Sequence, residues 1–265
     1  MKDTKWFSNQ VVRVTGASGG LGAQIALELA RRDVKLILVA RNESKLEQVA
    51  AECKSFTSKP VDIYSCDLTN DASVNELLAT LDKSHKITMV INNAGLGYFK
   101  LAKDLSESEI SQMLQLNLNA LIKITQHFVP KFIEAKSGVF VNIASQAGKS
   151  ATVKSSVYSA TKFGVLGYSN TLRLELKPYG IHVMTVNPGP IATDFFDKAE
   201  PTGKYLEQLG AVVLDPAKVA GEVVKGIERE KREVNLPKTM NFASKLNVLF
   251  PKIGDKLLGS IFNKK

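Results

Sequence analysis

Residues 11–22 read VVRVTGASGGLG, and this stretch decides the fold. The apolar run Val11–Thr15 predicts a short β-strand, and a helical pattern follows from about Ala23 to Arg32. The glycines between the two elements permit a tight turn and the close approach of a ligand. A helix N-terminus presents free N–H groups and a positive dipole to phosphate. The stretch therefore predicts a strand, a turn that binds a diphosphate, and a helix.

The glycine spacing is Gly-x-x-x-Gly-x-Gly, which differs from the Gly-x-Gly-x-x-Gly of the most familiar dinucleotide fingerprint but keeps its physical role. The residues expected to contact the ligand are Gly16, Ser18, Gly19, Gly20, Leu21 and Gly22. The same stretch matches Gly-x-Ser-x-Gly, the nucleophile elbow of hydrolases. An elbow serine needs an earlier strand whose loop supplies half of the oxyanion hole, and only ten residues precede Val11. We therefore expect no hydrolase site here.

Strand patterns alternate with helical patterns along the rest of the chain. The predicted strands lie at residues 35–40, 61–66, 87–91, 138–143, 181–186 and 233–236. The helices between them begin near Ala72, Ser106, Tyr158 and Pro216. Repeated βα units imply an α/β fold with a doubly wound parallel sheet (Rossmann-like), helices on both faces and a ligand at the carboxyl ends of the strands. We expect a single domain over residues 1–237.

One predicted helix carries an unusual polar residue. The pattern from about Ser106 to Glu134 predicts a long helix that Pro130 interrupts. Asn117 lies within it, in the run LQLNL. The asparagine could bend the helix or bind a water molecule, whereas the pattern alone slightly favours an ordinary surface position.

The ends of three predicted strands carry residues that suit a nucleotide. Arg41 follows the second strand, where a dinucleotide fold contacts the adenosine ribose. No acid accompanies it, and a planar guanidinium suits a 2′-phosphate, which favours NADP over NAD. Asp67 is placed to meet the adenine amino group or to cap the next helix. Asn93, Ala94 and Gly95 form a turn at a strand end that the cofactor would pass.

A candidate site for proton transfer lies within residues 142–162. On a helix, Tyr158 and Lys162 lie four residues apart on one face, so the ammonium can approach the phenol. A positive charge at about 4 Å would lower the pKa of Tyr158 to near ~7, where the phenol can exchange a proton. Ser145 ends a predicted strand and could donate its hydroxyl to the oxygen that gains charge. By itself the Tyr-x-x-x-Lys pattern also suits an ordinary surface helix.

Six motifs occur in order between about residues 10 and 195: Thr15-Gly16-x-x-x-Gly20-x-Gly22, Asn92-Asn93-Ala94-Gly95, Asn117, Ser145, Tyr158-x-x-x-Lys162 and Pro188-Gly189. In this order and spacing the chain resembles the short-chain dehydrogenase/reductase family. The resemblance implies that Tyr158 is the acid/base, that Lys162 lowers its pKa and holds the nicotinamide ribose, and that Ser145 orients the carbonyl. It also implies that Asn117 holds a water molecule in a proton relay. The residues that would line the nicotinamide and diphosphate are Asn93, Pro188, Gly189, Ile191 and Thr193.

The resemblance predicts an NADP(H)-dependent oxidoreductase that transfers a hydride between nicotinamide and a carbonyl or secondary alcohol. The alternative is a protein that binds NADP(H) without turnover, and the complete catalytic set favours the enzyme. The family also implies a homodimer or homotetramer formed through the helices of Asn117 and Tyr158. The small residues Ala160, Gly164 and Gly167 would permit close contact there.

Composition and charge exclude several other classes of protein. The net charge is +9 with a pI near 9.4, yet no nucleic-acid motif accompanies it, so we expect a phosphate-bearing ligand and no nucleic acid. No apolar run reaches about 18 residues and no export leader is evident, which predicts a cytoplasmic protein. Cys53 and Cys66 are expected to be reduced thiols. The scattered histidines have no ligand spacing, so no metal site is predicted.

The resemblance weakens after the sixth motif. Family members use the segment at about 191–214 as a mobile lid over the substrate, with Phe195, Phe196, Tyr205 and Leu209 as expected walls. The alternative is an amphipathic surface helix.

Residues 238–265 predict a basic amphipathic helical extension. Its apolar residues at helical spacing are Phe242, Leu246, Leu249, Phe250, Ile253, Leu257, Leu258, Ile261 and Phe262. Six lysines accompany a single acid, Asp255. Packing on the body or across an oligomer interface is the favoured interpretation. The alternative is peripheral contact with an anionic membrane, which would suit lipid-like carbonyl substrates.

Overall fold

The computed structural model describes residues 2–200, 207 and 210–252. Its sheet has seven parallel strands in the order β3-β2-β1-β4-β5-β6-β7. The strands are β1 Val11–Thr15, β2 Lys35–Ala40, β3 Val61–Ser65, β4 Met89–Asn92, β5 Gly138–Ile143, β6 Ile181–Pro188 and β7 Glu233–Leu236. The helices are α1 Thr4–Ser8, α2 Gly20–Ala30, α3 Glu43–Lys54, α4 Asp71–Ser84, α5 Glu107–Leu114, α6 Ala120–Ala135, α7 Ser156–Leu176, α8 Phe195–Ala199, α9 Pro216–Glu228 and α10 Lys238–Leu249. The predicted fold class is confirmed.

Helices cover both faces of the sheet because its central strands are apolar on both sides. On one face Val14 of β1 belongs to a buried cluster with Ile25 of α2 and Val223 of α9. On the other face Ile37 of β2 shares a cluster with Phe128 of α6. Successive strand side chains point to opposite faces, so each strand contributes to both clusters.

The first helix after the glycine turn begins earlier than predicted. α2 starts at Gly20 rather than near Ala23, and the N–H of Ala23 already donates to the carbonyl of Gly19 at 3.2 Å. The glycine turn is thus itself the first turn of the helix, which aims the free amides of α2 at the carboxyl end of the sheet. β4 starts at Met89, two residues after its predicted start at residue 87. β6 ends at Pro188, two residues after its predicted end at residue 186.

The prediction that Pro130 interrupts the long helix is wrong. α6 continues through Pro130, and a π-helical segment, Gln115–Asn119, joins α5 to α6 instead. Proline removes the hydrogen bond to the carbonyl four residues earlier, here that of Gln126. Both Pro130 and Gln126 are exposed, so water can satisfy that carbonyl and the helix persists.

The first helix of the C-terminal extension contacts the body with only part of its surface. Asn241 and Ser244 of α10 face the body, whereas Phe242 and Leu249 are exposed. These two side chains therefore do not pack on the body of the same chain, and packing across an oligomer interface, which the favoured interpretation also included, stays a prediction. The rest of the extension, from Ile253 onward, lies outside the described residues.

Candidate active site

A cavity of about 440 Å³ lies at the carboxyl ends of the central strands. This position, where the strand order reverses between β1 and β4, is the usual ligand site of an open α/β sheet. The predicted residues that line it are Gly16, Ser18, Gly19, Gly20, Leu21, Arg41, Asn93, Ala94, Gly95, Ser145, Tyr158, Lys162, Pro188, Gly189, Ile191 and Thr193. Three predicted site residues, Gly22, Asp67 and Asn117, do not line the cavity.

The glycine turn is built so that backbone, not side chains, faces the cavity. Gly16 and Gly20 have φ angles of +64° and +53°, in the left-handed region that favours glycine. Gly22 does not line the cavity, but the turn requires a glycine there, because a Cβ at residue 22 would lie 2.2 Å from the carbonyl oxygen of Gly16. The turn therefore cannot form with a side chain at residue 22.

Asn93 holds the glycine turn against the end of β4. Its Nδ2 donates to the carbonyls of Thr15 and Gly16 at 2.9 and 3.3 Å. The hydroxyl oxygen of Thr15 accepts from the N–H groups of Asn93 and Ala94 at 3.0 and 3.1 Å. Asn93 thus lies in the cavity wall and also fixes the shape of the turn.

Basic side chains lie at the β2 end of the cavity. Arg41 is exposed and makes no ion pair with any described residue, whereas Lys45 lies 3.5 Å from Asp194. Asp67 accepts from the N–H and hydroxyl of Thr69 at 3.0 and 2.8 Å. The backbone hydrogen bond from Thr69 is the main cause that holds the pKa of Asp67 below its usual value, and the Arg41 charge adds to it.

Asp67 is not the cap of the following helix. Asn70 caps α4, with its side chain accepting from the N–H of Ser73 at 3.0 Å. The helix-cap interpretation of Asp67 is therefore wrong. Contact of Asp67 with an adenine amino group stays a prediction.

Ser145, Tyr158 and Lys162 converge at the opposite end of the cavity. Lys162 Nζ donates to the carbonyl of Ile143 at 2.9 Å and lies 5.7 Å from the centroid of the Tyr158 ring. A hydrogen bond joins the side chains of Tyr158 and Ser145. Ser145 Oγ also accepts from the N–H of Ala147 at 3.0 Å. The end of β5 and the first turns of α7 thus place a hydroxyl, a phenol and an ammonium together.

Burial changes the acidity of both titratable groups in this cluster. It raises the pKa of Tyr158 to about 12, and the hydrogen bond from Ser145 only partly opposes that rise. Burial also lowers the pKa of Lys162 to about 8. The prediction that Lys162 brings Tyr158 near neutrality is wrong for this structure. The reason is that both groups lie out of water, so desolvation outweighs their attraction.

The buried ammonium of Lys162 makes stability depend on pH. Its pKa falls from 10.5 to about 8 on folding, so the unfolded chain binds more protons between these values. The difference in the free energy of unfolding between the original chain and Lys162→Met should therefore grow in favour of the original chain between about pH 8 and pH 10, because the buried Arg13, Cys53 and Cys66 act alike in both proteins. Urea unfolding of both proteins across this range measures the difference, with exposed Lys54→Met as control. A difference that does not grow with pH would contradict the assignment.

Asn117 is buried, so the surface position that its pattern slightly favoured is wrong. Its Oδ1 accepts from the N–H of Leu96 at 2.8 Å. Its Nδ2 donates to the carbonyl of Leu96 at 2.8 Å and to the hydroxyl of Thr161 at 3.1 Å. The asparagine therefore ties the loop after β4 to α7. Its predicted contact with a relay water stays a prediction.

Aromatic side chains enclose the phenol of Tyr158. The rings of Phe99 and Phe195 lie 5.5 and 5.8 Å from it, centroid to centroid. The N–H of Phe99 donates to the carbonyl of Ala199 at 2.8 Å, which joins α8 to the loop after β4. The predicted walls Phe195 and Phe196 line the cavity. Tyr205 and Leu209 lie outside the described residues.

The cavity also has walls that the sequence did not indicate. They include Lys45, Tyr98, Phe99, Met240, Ala243 and Ser244. Lys45 follows Arg41 by four residues, a spacing that could have suggested a second basic contact. The residues of α10 carried no such signal, because only the tertiary fold brings that helix to the cavity.

A doubly wound sheet with a Gly-x-x-x-Gly-x-Gly turn and a buried Ser, Tyr and Lys beside it defines the class of short-chain dehydrogenases. The model of the short chain dehydrogenase family matches residues 10–203. The chain belongs to this family.

Three similar proteins illustrate the relationship. The ketoacyl reductase HetN of Nostoc sp. is 33% identical over 229 residues, which cover 86% of this chain and 78% of that protein. A short-chain dehydrogenase from Sphingobium yanoikuyae in complex with NADPH is 29% identical, with a TM-score of 0.82 and coverage of 94% and 95% of the two chains. A bulky-bulky ketone specific alcohol dehydrogenase from Comamonas testosteroni is 26% identical, with a TM-score of 0.79 and coverage of 92% and 94%.

Proposed function

We propose that the protein is an NADP(H)-dependent oxidoreductase that interconverts a carbonyl compound and a secondary alcohol. The observation that carries this proposal is the cavity, which joins the glycine turn and Arg41 at one end to Ser145 and Tyr158 at the other. The structural relative from Sphingobium yanoikuyae holds NADPH. The proposal includes the general acid/base role of Tyr158.

The residues at the glycine turn fit a dinucleotide. A Cβ at Gly16 would lie 2.9 Å from Asn93, and one at Gly20 would lie 3.2 Å from Thr193, so the turn leaves a backbone cradle for phosphate. At the end of β2, the exposed guanidinium of Arg41 suits a 2′-phosphate. When bound, NADP(H) supplies or accepts the hydride.

The side chains around Tyr158 suit proton transfer to a carbonyl that is being reduced. With a pKa of about 12 the phenol is neutral at pH 7, which is the form that donates a proton to a developing alkoxide. Ser145 lies beside it and can donate to the same oxygen. Lys162, which is mostly protonated at pH 7, stabilises the phenolate that remains. The enclosing Phe99 and Phe195 rings keep water from this oxygen.

The walls near Tyr158 favour an apolar carbonyl substrate. Phe99 and Phe195 lie beside the ring of Tyr158, and Met240 also lines the cavity. Such walls bury hydrocarbon on both sides of a carbonyl carbon. The relative from Comamonas testosteroni is specific for bulky-bulky ketones. We therefore propose apolar ketones as the first substrates to screen.

Titration of the purified protein with NADPH and NADH, followed by nicotinamide fluorescence, tests the cofactor proposal. Tight NADPH binding with weak NADH binding is expected, and turnover of ketones with NADPH should follow. If neither dinucleotide binds, the oxidoreductase proposal is wrong. If NADPH binds but no carbonyl reacts, the alternative of a non-catalytic NADP(H) sensor gains support.

Arg41→Ala is expected to weaken NADPH binding by roughly 10- to 100-fold, because a charge-assisted contact to the 2′-phosphate is lost. NADH binding should stay within about twofold, since NADH has no such phosphate. Arg229→Ala, an exposed arginine of comparable charge beyond α9, is the matched control. Equal loss of affinity for both dinucleotides would contradict the role of Arg41.

We propose a homodimer or homotetramer formed through an exposed face of α7. Phe163, Gly167 and Leu174 lie on this face, and Leu174 is 71% exposed. Gly164 does not belong to it, because a Cβ there would lie 3.0 Å from Leu118 of the same chain. Leu174→Glu should convert the oligomer to a monomer in analytical ultracentrifugation, whereas Phe56→Glu should not. An unchanged mass in Leu174→Glu would exclude this interface.

We also propose a cytoplasmic location. The thiols Cys53 and Cys66 are both free and buried, as suits a reducing compartment. Burial raises the pKa of Cys53 to about 12 and that of Cys66 to about 11, so neither is a reactive thiolate. Detection of the protein in an exported fraction would contradict this proposal.

A further inference from the structure

Helix α10 turns its polar side toward the body of the protein. Ser244 is buried, and Asn241 and Asn247 are half-buried. Asn241 Oδ1 accepts from Lys149 Nζ at 3.4 Å, and Asn247 Nδ2 donates to the hydroxyl of Ser150 at 3.3 Å. Polar contacts therefore hold the helix in place.

The opposite side of α10 is apolar and exposed. Phe242, Val248 and Leu249 are 65%, 72% and 68% exposed, and Leu246 and the C-cap residue Phe250 are also exposed. An amphipathic surface helix normally places its apolar side against the core. The reversed arrangement leaves Phe242, Leu246 and Leu249 together as an exposed apolar cluster in the described structure, and such clusters mark interaction surfaces.

The charges beside this apolar face have one sign. The two charged residues of α10, Lys238 and Lys245, are exposed and lie seven positions apart, on the same side of the helix as Phe242 and Leu249. Lys252 follows, and residues 238–265 together contain six lysines and one acid. An exposed face that combines apolar and cationic side chains matches the surface of an anionic lipid bilayer, where hydrocarbon lies beneath negative headgroups and a lysine can extend to the headgroup level.

We propose that the outward face of α10 docks the protein onto an anionic lipid bilayer. In this arrangement Phe242 and Leu249 enter the headgroup boundary while Lys238 and Lys245 contact the headgroups. Among the described residues no helix is long and apolar enough to cross a bilayer. The contact that we propose is peripheral. A net charge of +9 favours contact with an anionic surface.

The body holds α10 in a fixed orientation for this contact. Lys149 Nζ, which donates to Asn241, also pairs with a carboxylate oxygen of Glu233 in β7 at 2.6 Å. Met240 packs against the body, since a Cβ at Gly189 would lie 2.8 Å from its sulfur. The exposed side of α10 thus belongs to a helix whose opposite side is fixed to the body of the protein.

Co-sedimentation of the full chain with lipid vesicles tests the proposal. One set of vesicles contains phosphatidylcholine alone, and a second also contains phosphatidylglycerol. We expect binding to the anionic vesicles that falls as salt is raised, and little binding to the neutral ones. Absence of binding to the anionic vesicles would overturn the proposal.

Variants distinguish the contributions of the apolar and the cationic side chains to vesicle binding. Phe242→Ser with Leu249→Ser should weaken vesicle binding by ~tenfold or more, because both side chains leave the bilayer. Lys238→Glu with Lys245→Glu should remove the preference for phosphatidylglycerol. Phe56→Ser, which removes an exposed aromatic elsewhere, should bind as the original chain does.

Two further measurements show whether the variants remain folded and whether a second copy of the chain covers the face. Far-ultraviolet circular dichroism and a thermal unfolding curve should match those of the original chain, because Phe242 and Leu249 are exposed. Analytical ultracentrifugation of Phe242→Ser with Leu249→Ser should give an unchanged mass. If the mass falls and vesicle binding is unaltered, a second copy covers this face and the proposal is wrong. None of these measurements depends on catalysis.

Discussion

Tyr158→Phe is expected to lower the rate of ketone reduction by about three orders of magnitude while NADPH binding stays within about twofold. The substitution removes only the hydroxyl that would donate the proton. The ring contacts with Phe99 and Phe195 remain, so the aromatic wall should keep its shape. The side chain lies opposite Arg41 and the glycine turn, which supports an unchanged affinity for the dinucleotide.

Steady-state kinetics and fluorescence titration of the same preparations measure this effect. Tyr179→Phe is the matched control, because Tyr179 is exposed and lies outside the cavity. Retained turnover in Tyr158→Phe would exclude the phenol as the proton donor. Loss of NADPH binding together with turnover would mean that the substitution disturbs the cavity rather than the proton transfer.

Asn92→Leu is expected to destabilise the protein by about 3–5 kcal/mol, because it leaves a buried charge without its acceptor. Arg13 is fully buried, and its Nη2 donates to Asn92 Oδ1 at 2.8 Å. Its Nε and Nη1 have no hydrogen-bond partner among the described residues. Burial lowers the pKa of Arg13 to about 9, which shows how poorly the site supports the cation. Asn92 Nδ2 extends the network to Asn142 Oδ1 at 2.9 Å.

A second substitution distinguishes loss of the charge partner from simple disruption of the core. Arg13→Met removes the buried charge and should change stability by less than about 1.5 kcal/mol. The double variant with Asn92→Leu should therefore recover much of the stability lost in Asn92→Leu. Urea unfolding of the four proteins measures the coupling. Additive effects would show that Asn92 stabilises the sheet without acting on Arg13.

The sequence predicts those parts of the molecule that local chemistry determines. The β1 strand and the glycine turn are recognisable because the φ of +64° at Gly16 and the 2.2 Å approach of a Cβ at Gly22 to the carbonyl oxygen of Gly16 arise within the turn itself. Four strands, those at 11–15, 35–40, 138–143 and 233–236, have the predicted bounds, and for the first two the reason is that the apolar run ends directly in Gly16 or Arg41.

Other features depend on contacts that no local pattern records. The burial of Asn117 follows from the loop at Leu96 and from α7, both far away in the sequence. The high pKa of Tyr158 follows from its enclosure by aromatic side chains, which a calculation from the Lys162 charge alone leaves out. The reversed orientation of α10 is set by the hydrogen bond that Asn241 accepts from Lys149 and the one that Asn247 donates to Ser150. Predicting it requires the position of the loop after β5.

Two sets of cavity walls come from separate parts of the chain, and this division bears on how such a protein can evolve. Ser145 follows β5 and Tyr158 belongs to α7, whereas Phe195 and Met240 come from α8 and α10, which follow the last two strands. Substitutions in the peripheral helices can reshape the volume open to a substrate without moving the proton donor. Descendants of one ancestral enzyme can therefore acquire new substrates by drift in α8 and α10 while inheriting the same chemistry.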